Sequence, residues 1–266
     1  MKTVLAASDL TGRSDAALRR AAALAAAHGA ALHAANVVDD ELPEKLRAAQ
    51  DETARAHLEA ALGGAAAEVH VLHGDPAAAL PELAERLDAD LLTVGPHRGR
   101  GLRDWIGSCT LERIVRASLR PCLLALSDAA APYAKVLCGV DLSPASAAAL
   151  RAARRLAPAA SIHAFHAVHA PHPRGLPRDA PNPFVKAAQA DLAAWIESED
   201  LPDGITGPES FEGGVDGVFH ELLERDQPDL VALGAHGRGA LSPSHLGGFA
   251  RELIMHPPVD LLVVRR

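Results

Sequence analysis

The sequence predicts an α/β protein made of two tandem, doubly wound units, each with its own five-stranded parallel sheet. Three observations carry this: an internal repeat, strands alternating with helices, and strands that read as unbroken apolar runs. The repeat is direct. Asp90-Leu91-Leu92-Thr93-Val94-Gly95-Pro96-His97 returns 139 residues later as Asp229-Leu230-Val231-Ala232-Leu233-Gly234-Ala235-His236, and Gly74 returns at the same spacing as Gly213. Near each start, Asp9 corresponds to Asp141, which is only 132 residues on. The second copy therefore carries a net insertion of about seven residues, placed in the Pro-rich segment 170–183. A linker is expected near 128–133, where Asp, Ala and Pro interrupt the pattern, giving domains 1–128 and 134–266.

Taken in order, the first copy offers strands at 3–8, 30–38, 68–73, 91–94 and 122–126. The second offers them at 135–140, 161–168, 209–211, 230–233 and 261–264. Leu91-Leu92-Thr93-Val94 and Leu261-Leu262-Val263-Val264 are the kind of run expected of strands covered on both faces, as in parallel sheets. The intervening segments, such as 14–28 and 185–199, combine helical apolar spacing with polar faces. Strands that alternate with helices imply right-handed crossovers.

Composition narrows the function classes. A net charge of −8 lacks the broad basic field of a nucleic-acid binder and argues against an anionic membrane as partner. Aromatics are only 3 %, so the cores must be aliphatic. The three cysteines, Cys109, Cys122 and Cys138, are irregularly spaced and suit neither a disulfide framework nor a zinc-thiolate site. Cys122 and Cys138 read as strand core; Cys109 falls near a helix start, where a thiol pKa would be lowered. The N-terminus runs straight into a strand and does not read as a signal peptide. A cytoplasmic protein is expected.

The chemistry concentrates after the fourth strand of each copy. In open parallel sheets, ligands sit at the carboxyl ends of the strands, where strand order reverses. A glycine there permits close backbone approach, and a following helix turns its positive end toward an anion. The second copy has Gly234, Gly237, then Gly247-Gly248 and a helix from 249. This pattern resembles the nucleotide-binding members of the universal stress protein family, which carry Gly-x2-Gly-x9-Gly-Ser/Thr, a Gly-Arg pair in the loop, and an Asp ending the first strand. Asp141, His236, Gly237, Arg238 and Gly247 stand at matching positions; Gly248 departs, standing where the family has a hydroxyl. In the first copy Asp9, Gly95 and His97 match, but Arg98 replaces the second glycine. Ser108-Cys109 falls on the final pair without gaps, or Gly107-Ser108 with a one-residue shift. Arg98, Arg100 and Arg103 crowd positive charge on that loop: either it has swapped backbone for side-chain phosphate contacts or the first copy has lost the site, and the second copy is the expected nucleotide site.

The resemblance covers almost the whole chain. It implies strand order 3-2-1-4-5, ATP or another adenine nucleotide as ligand, with or without Mg2+, and a stress-response role through a regulatory protein partner, without defined turnover. The nucleoside would lie by Asp9 or Asp141. The base would be flanked by the second-strand ends, Val37–Val38 and Ala167–Val168, with Val38 and Val168 taken as the contacts. Pairing through the fifth strand implies a homodimer or an internal pseudo-dimer. The alternative is a scaffold that binds no nucleotide and acts through protein association. An enzyme is not expected: there is no Walker lysine and no nucleophile elbow.

Plainer roles stand beside these. Asp9 and Asp141 could cap the first helix region or stabilise the following turn. His97 and His236 could pin loop backbone. His163, His166, His169 and His172 invite a metal reading, but residues three apart on a strand face opposite ways, so the first three cannot converge, nor can His70 and His73; His169 and His172 lie past the strand and could meet other loop groups, yet no metal site is expected.

Overall fold

The computed structural model describes residues 1–40, 43–96, 109–128, 130–170, 182–235 and 246–265. The first copy runs β1 (Thr3–Ala7), α1 (Gly12–His28), β2 (Ala31–Val38), α2 (Glu44–Ala61), β3 (Glu68–His73), α3 (Pro76–Arg86), β4 (Leu91–Val94), α4 (Thr110–Ala117) and β5 (Cys122–Leu124). The second runs β6 (Lys135–Gly139), α5 (Pro144–Leu156), β7 (Ser161–Val168), α6 (Pro183–Ser198), β8 (Ile205–Glu212), α7 (Val215–Asp226), β9 (Leu230–Gly234), α8 (Gly248–Met255) and β10 (Asp260–Val264).

The units are not two separate sheets. They share one ten-stranded sheet in the order β3-β2-β1-β4-β5-β10-β9-β6-β7-β8. Each half has the order 3-2-1-4-5 expected from the family resemblance. All pairings within a half are parallel, and the halves join through an antiparallel β5–β10 ladder. Leu123 faces Leu262 in that ladder. These residues hold the same place in the two copies, so a pseudo-twofold axis passes between them. Helices α1, α2, α5 and α6 cover one face, and α3, α4, α7 and α8 cover the other. Both apolar layers contain residues from both copies, so the core is continuous across the join. Leu5, Leu92, Leu123, Leu137 and Val231 are fully buried, as covered parallel strands require.

Local chemistry explains the helix starts and stops. The Ser14 Oγ accepts from the Thr11 N–H at 3.1 Å at the head of α1, and Gly29 closes that helix in a left-handed conformation. At the head of α5, the Ser143 Oγ accepts from the Ser146 N–H at 3.2 Å, and Pro144 supplies a preset φ. Strand β8 is longer than the sequence suggests. Gly207-Pro208 reads as a break, but a proline is tolerated on a strand with one unpaired side, and β8 pairs only with β7.

The join carries its own polar lock. The Tyr133 hydroxyl donates to Asp260 Oδ2 at 2.6 Å and accepts from Arg20 Nε at 3.2 Å. Arg20 also lies 3.4 Å from Asp260 Oδ2, with both side chains buried, and its guanidinium stacks over the Tyr133 ring. Asp260 Oδ1 accepts from the Leu126 N–H at 2.8 Å. The lock thus ties α1, the linker and β10 together. No helix among the described residues is long and apolar enough to cross a membrane.

Candidate functional site

In the first half, strand order reverses between β1 and β4. A cavity of 390 Å³ opens there, at the carboxyl ends of β1, β2 and β4. Its polar lining includes Ser8, Asp9, Ser14, Asn36 and Thr110. Its apolar lining includes Val37, Leu80, Leu111 and Ile114, brought by β2, α3 and α4. The volume falls within the range of about 300–1,000 Å³ usual for small-molecule sites.

Asp9 organises the turn beside this cavity. Its Oδ1 accepts from the Thr11 N–H at 3.2 Å, the Thr11 hydroxyl at 2.5 Å and the Ser14 hydroxyl at 2.7 Å. In the second half, Asp141 Oδ1 accepts from the Ser143 N–H at 3.0 Å and its hydroxyl at 2.5 Å. The next residue is a left-handed leucine in both copies, Leu10 at φ 60° and Leu142 at φ 62°. Non-glycine residues avoid that conformation, so the turn is an imposed feature of the repeat. The aspartates therefore stabilise the turn that leads into α1 and α5, whose N-caps are Thr11 and Ser143, and Asp9 also lines the cavity.

At the end of the second strand the cavity is lined by one of the two valines. Val37, not Val38, lines the cavity, and Val38 is buried. Side chains alternate along a strand, so Val37 and Val38 face opposite ways. Ala167 packs with the same apolar layer as Val37, whereas Val168 is its buried neighbour. Asn36 was not anticipated. Its Nδ2 donates to the Ser8 carbonyl at 2.8 Å. His166 does the equivalent job in the second half, donating from Nδ1 to the Val140 carbonyl at 2.7 Å. A polar residue inside an apolar strand was the available signal for both.

The glycines divide into two kinds. A Cβ on Gly95 would meet the Ser14 backbone at 3.0 Å, and one on Gly234 would meet the Ala145 and Ser146 backbone at 2.8 Å. What these glycines admit is the first turn of α1 or α5, rather than a ligand. Gly247 and Gly248 have ordinary open space around them. The protein's own packing therefore does not demand glycine at either position. The helix starts that follow also differ. Gly247 offers no side-chain cap to α8, whereas at α4 the Cys109 sulfur accepts from the Glu112 N–H at 3.3 Å. The Cys109 thiol pKa is raised, chiefly by burial, the reverse of what its place at a helix start suggests. Cys122 and Cys138 are strand core, and burial pushes the Cys122 thiol up to about 11. His97, Arg98, Ser108, His236, Gly237 and Arg238 lie outside the described residues, as does His172.

Two further strand histidines are paired with carboxylates. His163 Nδ1 lies 2.6 Å from Asp226 Oδ2, and His73 Nε2 lies 2.9 Å from Asp51 Oδ1. His169 is exposed past the end of β7.

The model of the universal stress protein family matches this chain twice, over residues 1–125 and 132–265. The chain belongs to the universal stress protein family. A universal stress protein of Mycobacterium tuberculosis is 28 % identical over 190 residues, 67 % of this chain and 63 % of that relative, so the match spans less than two thirds of the relative's length. A universal stress protein structure from Archaeoglobus fulgidus aligns over 99 % of this chain and 98 % of its own, with a TM-score of 0.72 at 15 % identity. A putative universal stress protein from Pseudomonas aeruginosa aligns over 100 % of this chain and 93 % of its own, with a TM-score of 0.62 at 18 % identity. At those identities the two structures support the tandem fold alone.

Proposed function

We propose that this universal stress protein is a regulatory protein that binds an adenine nucleotide, ATP, ADP or AMP, at the carboxyl end of its first sheet half. The supporting observation is the 390 Å³ cavity at the strand-order reversal, polar along Ser8, Asp9 and Asn36 and apolar along Val37, Leu80 and Leu111. An apolar slot suits a purine face, and a carboxylate beside hydroxyls suits a ribose. The phosphates, with Mg2+ where the ligand is a triphosphate, would extend toward the loop after β4 and the start of α4. The second half offers the uncapped α8 start with its open glycines to the same ligand. Binding alters association with a stress-response partner, and no defined turnover is assigned.

Equilibrium dialysis with ATP, ADP and AMP tests this, using wild type and Val37→Trp, which fills the first cavity. Wild type is expected to bind at micromolar ligand, and Val37→Trp to lose either a site or about tenfold in affinity, a change of about 1.4 kcal/mol. Absence of binding at millimolar nucleotide, or an unchanged stoichiometry and affinity in Val37→Trp, sinks the proposal.

A second reading, a scaffold that acts by protein association without nucleotide, draws on the Cys109 cap. It already satisfies one of the α4 amide donors a phosphate would use.

A further inference from the structure

Away from this cavity, near the amino ends of β2 and β3, three metal-ligating side chains converge. His33 and Glu68 are register partners on the two strands, and His70 lies two residues beyond Glu68 on the same face. His33 Nδ1 and His70 Nε2 are 3.0 Å apart, with their rings stacked. One Glu68 oxygen lies 3.6 Å from His33 Nδ1, and the other lies 3.7 Å from His70 Nε2. One ligand atom from each residue falls within 4.8 Å of the other two.

We propose that His33, Glu68 and His70 bind a divalent transition-metal ion of the zinc class, clipping β3 to β2. Two imidazoles and a carboxylate are the donor set of three-ligand zinc sites, with water in the fourth position. Metal–nitrogen bonds of about 2.0 Å in tetrahedral array set the nitrogens about 3.3 Å apart, so the pair need open only by a few tenths of an ångström. The two rings are largely buried, while Glu68 is 68 % exposed, so solvent reaches the open position. β3 pairs only with β2, which leaves that side of the site uncovered by another strand. Arg86 and Arg55 place positive charge near His70. They disfavour the ion, and the Glu68 carboxylate offsets part of that charge.

The second half supplies an internal comparison. His163 holds the β7 position that His33 holds on β2, each paired with the equivalent residue of the adjacent strand, Leu137 and Leu5. There the imidazole is taken by Asp226 at 2.6 Å, with Arg225 against the same carboxylate. The metal geometry belongs to the first half.

The test uses the full chain, stripped with chelator and titrated with ZnCl2 by calorimetry, without nucleotide. Wild type is expected to take up about one zinc per chain with a raised Tm, and Co2+ to give the visible spectrum of a tetrahedral site. His33→Gln/His70→Gln is expected to lose that zinc and the Co2+ spectrum, while His163→Gln keeps both. Equal zinc uptake by wild type and the double variant, or none by wild type, overturns the proposal. Should the double variant not fold, anomalous diffraction from zinc-soaked wild-type crystals decides: a peak between His33 and His70 supports the site, and no peak there overturns it. Nucleotide binding enters none of these readouts, so this proposal and the nucleotide reading fail separately.

Discussion

At the residue scale, four glycines that look alike in sequence do different work. Gly95 and Gly234 sit against the backbone of the first helix turn of their own half, α1 or α5, and Gly234 has the tighter fit. Gly234→Ala should therefore destabilise the protein by about 1–3 kcal/mol, through overpacking against backbone that cannot retreat. Urea unfolding reads this directly, and Gly247→Ala should leave stability within about 0.5 kcal/mol, because a Cβ there meets nothing. His70 gives a pH prediction. Burial is the chief reason its pKa lies below the ordinary histidine value, so the folded state binds its proton less readily than the unfolded chain. Its contribution is present above the unfolded pKa of about 6.5 and is lost as pH falls through the lower folded value. Stability should decline between about pH 7 and 5 in wild type and decline less in His70→Gln, in thermal melts run across that range.

At the scale of elements, the Arg20–Tyr133–Asp260 lock decides how the halves are held. Burial, with the Asp260 charge next, raises the Tyr133 pKa well above that of a free tyrosine, so the phenol stays a donor. Removing one member of a buried pair leaves the other uncompensated. Asp260→Ala should cost about 3–5 kcal/mol, measured by denaturant unfolding. Little of this was legible in the sequence, where Tyr133 reads as linker and Asp260 as a residue before a strand. Strands at 68–73 and 91–94 were legible because their side chains alone report the pattern, and both ranges match β3 and β4. The length of β8 was hidden by Gly207-Pro208, since only the sheet edge makes that pair acceptable. The His33–Glu68–His70 cluster was hidden for a related reason. Reading along one strand separates His70 from His73 correctly, but which residue faces His70 depends on the register between strands. The same one-residue precision separates Val37 from Val38 at the cavity.

At the scale of the molecule, the tandem repeat builds a pseudo-dimer inside one chain. Glu112 and Arg251 hold equivalent positions 139 residues apart, and they meet across the pseudo-twofold axis, Arg251 Nε to Glu112 Oε2 at 3.1 Å. A true twofold would bring like charges together there, whereas the two unequal copies set opposite charges face to face. Arg251→Glu should lower the Tm by setting two carboxylates at the axis, and Glu112→Arg/Arg251→Glu should recover part of the loss; a charge swap that recovers nothing would remove this role. The copies also diverge after their fourth strands, where Cys109 caps α4 in one half and Gly247 supplies no side-chain cap to α8 in the other. A crystal structure of the full chain grown with millimolar ATP decides whether the cavity beside Asp9 takes the proposed adenine nucleotide. The expected result is nucleotide density between Asp9, Asn36 and Val37, with the phosphates toward α4. An empty first-half cavity in well-diffracting crystals at that concentration would contradict it.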